Sequence, residues 1–191
     1  MKQARILTKQ EYKRVLDVID SNKYAGRNRA VLFLSFYAGL RACEIAALRL
    51  HDVADEQRIV KTEIVLEKHQ TKGNERQRVM LNSALRKELQ KYVDSVCSTY
   101  SRNDAFIESQ KGDAFTPLTM SQLFSRFYKN AGIEGASSHS GRRQFITTLA
   151  EKQINVRVIQ ALARHRHLNT TMRYIDINDK KLEKAVEHFR I

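Results

Sequence analysis

Between Ser138 and Ile175 the chain sets His139 three residues before Arg142, then a second histidine, His165, and then Tyr174 nine residues beyond it. The same stretch carries basic residues at 142, 143, 152, 157, 164, 166 and 173 and a single acid, Glu151. Imidazole and guanidinium groups can bind and protonate phosphate oxygens, and a tyrosine hydroxyl can become a covalent nucleophile without metal or nucleotide cofactor. The set suits attack on a phosphodiester. A DNA strand is the natural substrate.

Two further cations fit the same chemistry. Arg41 stands in GLRACEIAALRL just after a glycine, with Glu44 three residues later to hold its guanidinium. With Arg142 it would supply two planar forks for the non-bridging oxygens of a pentavalent transition state. Lys72 lies at the tip of an expected hairpin, where an ammonium could donate a proton to a leaving 5′ oxygen; Lys68 is a weaker rival. Each residue also has a bland reading. Arg41 could be only a partner for Glu44, His139 a helix-cap substitute, Lys72 a solvated turn lysine and Tyr174 a rim aromatic. The charge excess could be a solvated face, and all six together are hard to explain structurally. His165 and His167 lack a third ligand at useful spacing, so no metal is expected. His51, His69 and His188 need only surface or packing roles.

The elements must bring these groups together. His139 and Arg142 at a helix start project from one face and can share a phosphate. His165 and Tyr174 would fall on opposite sides of a continuous helix, at roughly 100° per residue. The chain must therefore break, and Asn169, followed by Thr170 and Thr171, suggests an N-cap with the break at His167 to Asn169.

Elsewhere Thr8 and Glu11 form a capping-box signature for a helix over 9 to 21. A buried helix runs from Arg27 to a cap at Gly39, and a third starts within Leu40 to Leu48. Segments 58 to 69 and 76 to 81 read as a small antiparallel sheet with its tip at Thr71 to Glu75. Helix returns from Asn82, with Leu85, Leu89, Tyr92, Val93 and Val96 on one face. A polar loop over 98 to 117 carries Pro117, and helices are predicted at 119 to 131, 140 to 153, 155 to 164, 169 to 176 and 179 to 189.

A chain of 191 residues can bury a real core, and one domain is the default. The 34 Lys and Arg against 21 Asp and Glu, a formal +13, imply a polyanionic partner, nucleic acid ahead of an acidic membrane. No apolar run approaches the roughly 20 residues of a spanning helix, and the N-terminus lacks a signal-peptide core, so a cytoplasmic protein is expected. Cys43 and Cys97 sit in helical patterns, without metal-ligand spacing, and no disulfide is expected.

GLRACEIAAL, QTKGNERQRVML, HSGRRQFITTLA and ARHRHLNTTMRYI together resemble the catalytic domain of tyrosine recombinases, the lambda-integrase-like family, from about Leu7 to Tyr174. The resemblance implies an α+β, mainly α fold with a small antiparallel β-sheet. It implies that Arg41, Lys72, His139, Arg142 and His165 activate the phosphate. Tyr174 would be the nucleophile, giving a 3′-phosphotyrosyl link and a free 5′ hydroxyl that is later resealed to a partner strand. No cofactor is implied, and the partner is double-stranded DNA, bound by a protein that is a monomer in solution and a homotetramer on two sites.

Two departures stand out. The family usually has glycine before the second histidine, where this chain has Arg164, which could crowd the turn or add a phosphate contact. Members usually also carry an N-terminal DNA-clamping (core-binding) domain, whereas residues 1–191 read as a single catalytic domain without it. The chain is then either cut from a longer one or similar to the short fimbrial phase inverters. The tail DINDKKLEKAVEHFRI, with Leu182, Ala185, Val186 and Phe189 on one face, is expected to dock on a neighbour only on DNA. The rivals are a non-catalytic DNA-binding regulator of the same fold and a relaxing type IB topoisomerase, which shares the chemistry.

Overall fold

Local caps decide where the first helices begin and end. Thr8 is extended ahead of α1 (Lys9–Asp20); its hydroxyl accepts the Glu11 N–H at 3.2 Å while the Glu11 carboxylate accepts the Thr8 N–H at 2.9 Å. This is the reciprocal box that the sequence predicted. α2 (Ala25–Ala38) is buried along most of its length and stops at Gly39, whose φ of 60° is left-handed and whose N–H returns to the Leu34 carbonyl. α3 (Ala42–Ala47) and a one-turn α4 (Leu50–Val53) follow. The computed structural model describes residues 4–71, 73–96, 101, 103–175, 183, 186 and 187.

β1 (Glu63–Leu66) and β2 (Gln77–Met80) pair antiparallel with Ile64 opposite Val79. Ile64, Leu66 and Val79 turn inward, while Arg78 reaches across to Glu63 on the outer face. The expected strand over 58 to 69 is too long at both ends. Asp55 to Ile59 forms a tight turn, with the Ile59 N–H on the Asp55 carboxylate and Arg58 at φ 64°. At the other end Lys68–Gln70 is a 3-10 turn. Gln70 causes it: its side chain accepts the Glu67 N–H at 2.8 Å and donates to the Ala47 carbonyl at 2.9 Å and Asp52 Oδ2 at 2.7 Å.

α5 (Ser83–Val96) buries Leu85, Leu89, Tyr92 and Val93, the face read from its period. Arg29 on α2 donates to Glu88 on α5 at 2.8 Å and to both Asp20 oxygens at 2.9 Å. The hydrogen bond from Arg29 holds the Glu88 carboxyl below the usual carboxylate range. α6 (Pro117–Asn130) begins two residues earlier than predicted, because Thr116 caps it and Pro117 occupies the first turn, where its missing N–H is harmless. Cys43 is a free thiol, and Cys97 lies outside the described residues.

α7 (Ser140–Glu151), α8 (Val156–Ala163) and α9 (Leu168–Met172) complete the described elements, a mainly helical α+β chain with one small sheet among the described residues. The chain forms two compact units, Met1–Phe145 and Ile146–Ile191. The core of the first is one cluster that includes Leu32, Leu34, Ile45, Leu85, Phe106 and Phe124. Its N-terminal segment is tied to the start of α7: Arg143 donates to the Ala4 carbonyl at 2.8 Å, and the Leu7 N–H donates to Gln144 at 3.2 Å. Arg5 adds bonds to the carbonyls of Glu134 and Gly135. The predicted helix over 179 to 189 lies outside the described residues, except for Glu183, Val186 and Glu187, which are helical and exposed. No helix among the described residues is long and apolar enough to cross a membrane.

Candidate active site

In the first unit, Arg41 and Arg142 are fixed from either side of Gly39. Arg41 is the extended N-cap of α3. The Glu44 carboxylate, fully buried, accepts the Arg41 N–H at 2.9 Å and its guanidinium at 2.5 Å. The partnership read as the bland alternative is therefore real, yet it orients a guanidinium that stays 23% exposed. Arg142, in the first turn of α7, is buried, and its Nη1 donates to the Gly39 carbonyl at 2.6 Å. Gly141 explains how α7 comes so near: a Cβ there would stand 2.3 Å from Ser35 Oγ and 2.7 Å from the Phe36 ring. Only a residue without one lets the two backbones lie this close.

His139 ends the approach to α7. It is exposed, its N–H donates to Ser137 Oγ at 3.3 Å, and its carbonyl accepts the Arg143 N–H at 2.9 Å, the first helical bond of α7. His139 thus stands just ahead of the helix whose first turn carries Arg142. Lys72 lies outside the described residues; its neighbours Thr71 and Glu75 are joined by two bonds through the Thr71 hydroxyl.

In the second unit, the break predicted between His165 and Tyr174 is present, but it falls earlier than the sequence suggested. α8 ends at Ala163, and Arg164 takes the left-handed cap conformation at φ 56°. α9 begins at Leu168 with an extended His167 as its cap, so Asn169 is inside the helix and not its cap. The left-handed residue turns the chain at once, and the three residues 165–167 suffice to start a new axis. The two side chains converge: the His165 and Tyr174 rings stack with centroids 5.9 Å apart and planes 22° apart.

Three residues to which the sequence reading gave no role at the site shape these groups: Gly141, Gln160, whose carboxamide donates to the His165 carbonyl, and Thr171, whose Oγ1 lies 3.0 Å from His165 Nδ1. Gly141 could have been suspected from its place inside the His139 to Arg142 spacing, where any side chain would face the neighbouring helix. Gln160 and Thr171 left no local signal beyond a polar residue on an apolar helix and a second threonine. Among the described residues, no group of three or more His, Cys, Asp or Glu side chains could hold a metal ion.

Residues 5–181 match the phage integrase family. The chain belongs to that family. This integrase-family chain is 28% identical over 183 residues to the tyrosine recombinase XerA of Pyrococcus furiosus, covering 95% of itself and 60% of the relative. With XerH of Campylobacter jejuni it shares 25% over 193 residues, covering 98% of itself and 52% of the relative. It thus spans between about half and three fifths of the length of these curated relatives. The crystal structure of XerA recombinase matches with a TM-score of 0.78 at 25% identity, covering 100% of this chain and 68% of that one. XerH in a pre-cleavage complex with its difH substrate matches at 0.73 and 25%, covering 100% of this chain and 56% of that one. The integrase-family fold is therefore the tyrosine recombinase catalytic-domain fold that the sequence resemblance implied.

Proposed function

We propose that this chain carries the chemistry of a site-specific DNA recombinase or integrase that breaks and rejoins double-stranded DNA through Tyr174. The observation that supports the reading is the His165–Tyr174 ring pair, because it sets an imidazole able to bind phosphate beside a hydroxyl able to attack it. Tyr174 Oη attacks phosphorus and loses its proton to solvent water, the bond from phosphorus to the 5′ oxygen breaks, and Lys72 protonates that oxygen. A 3′-phosphotyrosyl ester replaces the diester, so one phosphoester is exchanged for another and no nucleotide is consumed. Arg41, His139, Arg142 and His165 neutralise the charge that grows on the non-bridging oxygens. A 5′ hydroxyl from a partner strand then attacks the ester and releases Tyr174.

The net +13 charge supports a DNA partner, as does the solved complex of XerH with difH. In this reading one catalytic domain spans residues 1–191 and acts in the cytoplasm, as a monomer in solution and a homotetramer on two sites. The test is a nicked suicide duplex built from repeats that flank the coding region. The wild-type protein should leave an adduct that survives denaturation, and Tyr174→Phe should leave none while still binding. An undiminished adduct in the Phe variant would remove Tyr174 from its role, and strand exchange between two sites separates a recombinase from a topoisomerase.

A further inference from the structure

We infer that Thr171, with Gln160, is a positioning residue for His165, and that the Thr171 hydroxyl keeps a hydrogen on Nε2 of that ring in both of its protonation states. The inference rests on the reading of His165 as a phosphate ligand. Thr171 is fully buried, and its Oγ1 lies 3.0 Å from His165 Nδ1. Its carbonyl accepts the Tyr174 N–H at 3.0 Å, so one residue holds the ring of the histidine and the backbone of the tyrosine. Gln160 holds the other end. Its carbonyl accepts the His165 N–H at 3.1 Å, and its carboxamide donates back to the carbonyls of His165 at 3.1 Å and Arg166 at 3.4 Å.

A hydroxyl at Nδ1 differs in kind from a carboxylate or carbonyl there. The latter only accept, so they draw the single hydrogen of a neutral imidazole onto Nδ1 and leave Nε2 bare. A hydroxyl can accept from Nδ1–H or donate to a bare Nδ1; the donating arrangement leaves the hydrogen on Nε2, and it is the one that a His165 acting as a phosphate donor requires. The hydroxyl then turns and accepts when the ring is charged and both nitrogens carry hydrogens. His165 can therefore donate from Nε2 to a phosphate oxygen on either side of its titration.

Two measurements test this. The first is the imidazole tautomer in the free protein, read from long-range proton–nitrogen couplings of labelled histidine and assigned with a His165→Gln variant. Wild type and Thr171→Ser should show hydrogen on Nε2 in the neutral ring, and Thr171→Val a mixture of tautomers. The second is single-turnover cleavage against pH on the suicide duplex. Thr171→Val should cleave roughly 10-fold slower or worse across the pH range, whereas Thr171→Ser stays within about threefold of wild type. Gln160→Met should slow cleavage without changing the tautomer. A neutral ring in the wild type with its hydrogen on Nδ1, or a Val variant matching wild type in tautomer and rate, would overturn the inference. Because the tautomer is read without DNA, that result stands apart from the Tyr174→Phe adduct assay on which the functional reading depends.

Discussion

The Arg142 guanidinium donates to the Gly39 carbonyl at 2.6 Å across 103 residues of sequence. The end of α2 and the beginning of α7 are thereby one fixture, and Arg41, two residues past Gly39, is built on the same turn. Two absent side chains permit it. Gly39 is left-handed, with Phe145 2.7 Å from where its Cβ would stand, and Gly141 lies flush on Ser35 and Phe36.

Gly141→Ala should therefore be costly. The added methyl meets Ser35 Oγ at 2.3 Å and the Phe36 ring at 2.7 Å, and relief requires α7 to move off α2. A loss of about 1–3 kcal/mol is expected, or roughly 3–10 °C in Tm by thermal unfolding, with cleavage falling further because Arg142 moves with the helix. An unchanged Tm would mean that the two helices are not held this closely.

How much of this was readable beforehand follows the range of the interactions. The Thr8–Glu11 box and the Gly39 stop are decided within five residues, and the sequence predicted both. The six candidate side chains were named from type, spacing and the family resemblance, and the need for a break before Tyr174, read from helix geometry, is met in the structure. The position of that break was misread because Asn169 looks like the better cap; the family's glycine at the place of Arg164 pointed to a turn there, but an arginine by itself does not signal the left-handed conformation that it adopts. The 3-10 turn at Lys68–Gln70 and the helix α4 depend on Gln70 meeting Asp52 and on Leu50 bonding to the Asp104 carbonyl, partners too distant in sequence to be seen.

Glu44→Gln probes the support of Arg41. The buried carboxylate receives two donors from one residue, and an amide must offer its NH2 to one of them. Stability should fall by about 2–3 kcal/mol by urea denaturation. Cleavage should fall while DNA binding stays near wild type, since the arginine keeps its charge and loses its aim.

The Arg29–Glu88 pair gives a pH signature. The folded carboxyl titrates below its unfolded value of about 4.3, so its contribution is complete above that pH and is lost as pH falls through the lower folded value. Glu88→Gln should cost about 1–2 kcal/mol at pH 7, and the gap to wild type should close below about pH 4. Urea midpoints at pH 7, 5 and 3.5 check this; a gap that widens on acidification would contradict it.

Arg164 occupies a left-handed position at a helix end, and its Nη1 donates to the Leu162 carbonyl at 3.0 Å. Glycine there relieves a conformational cost of about 1 kcal/mol and forfeits a cap bond of similar size. Arg164→Gly should thus be nearly neutral in Tm. Arg164→Val, which loses the bond and tolerates the conformation poorly, should lose about 1–2 kcal/mol.

The bonds from Ala4, Arg5 and Leu7 to residues 134–144 have a mechanical meaning. The first described residues are laced to the head of α7 before the chain enters α1. A pull on the backbone at Ala4 is therefore delivered first to Arg143, the immediate neighbour of Arg142. Load at this end of the chain is shared between Arg143, beside the arginine that grips the Gly39 turn, and Glu11 of α1, which the Arg5 guanidinium holds.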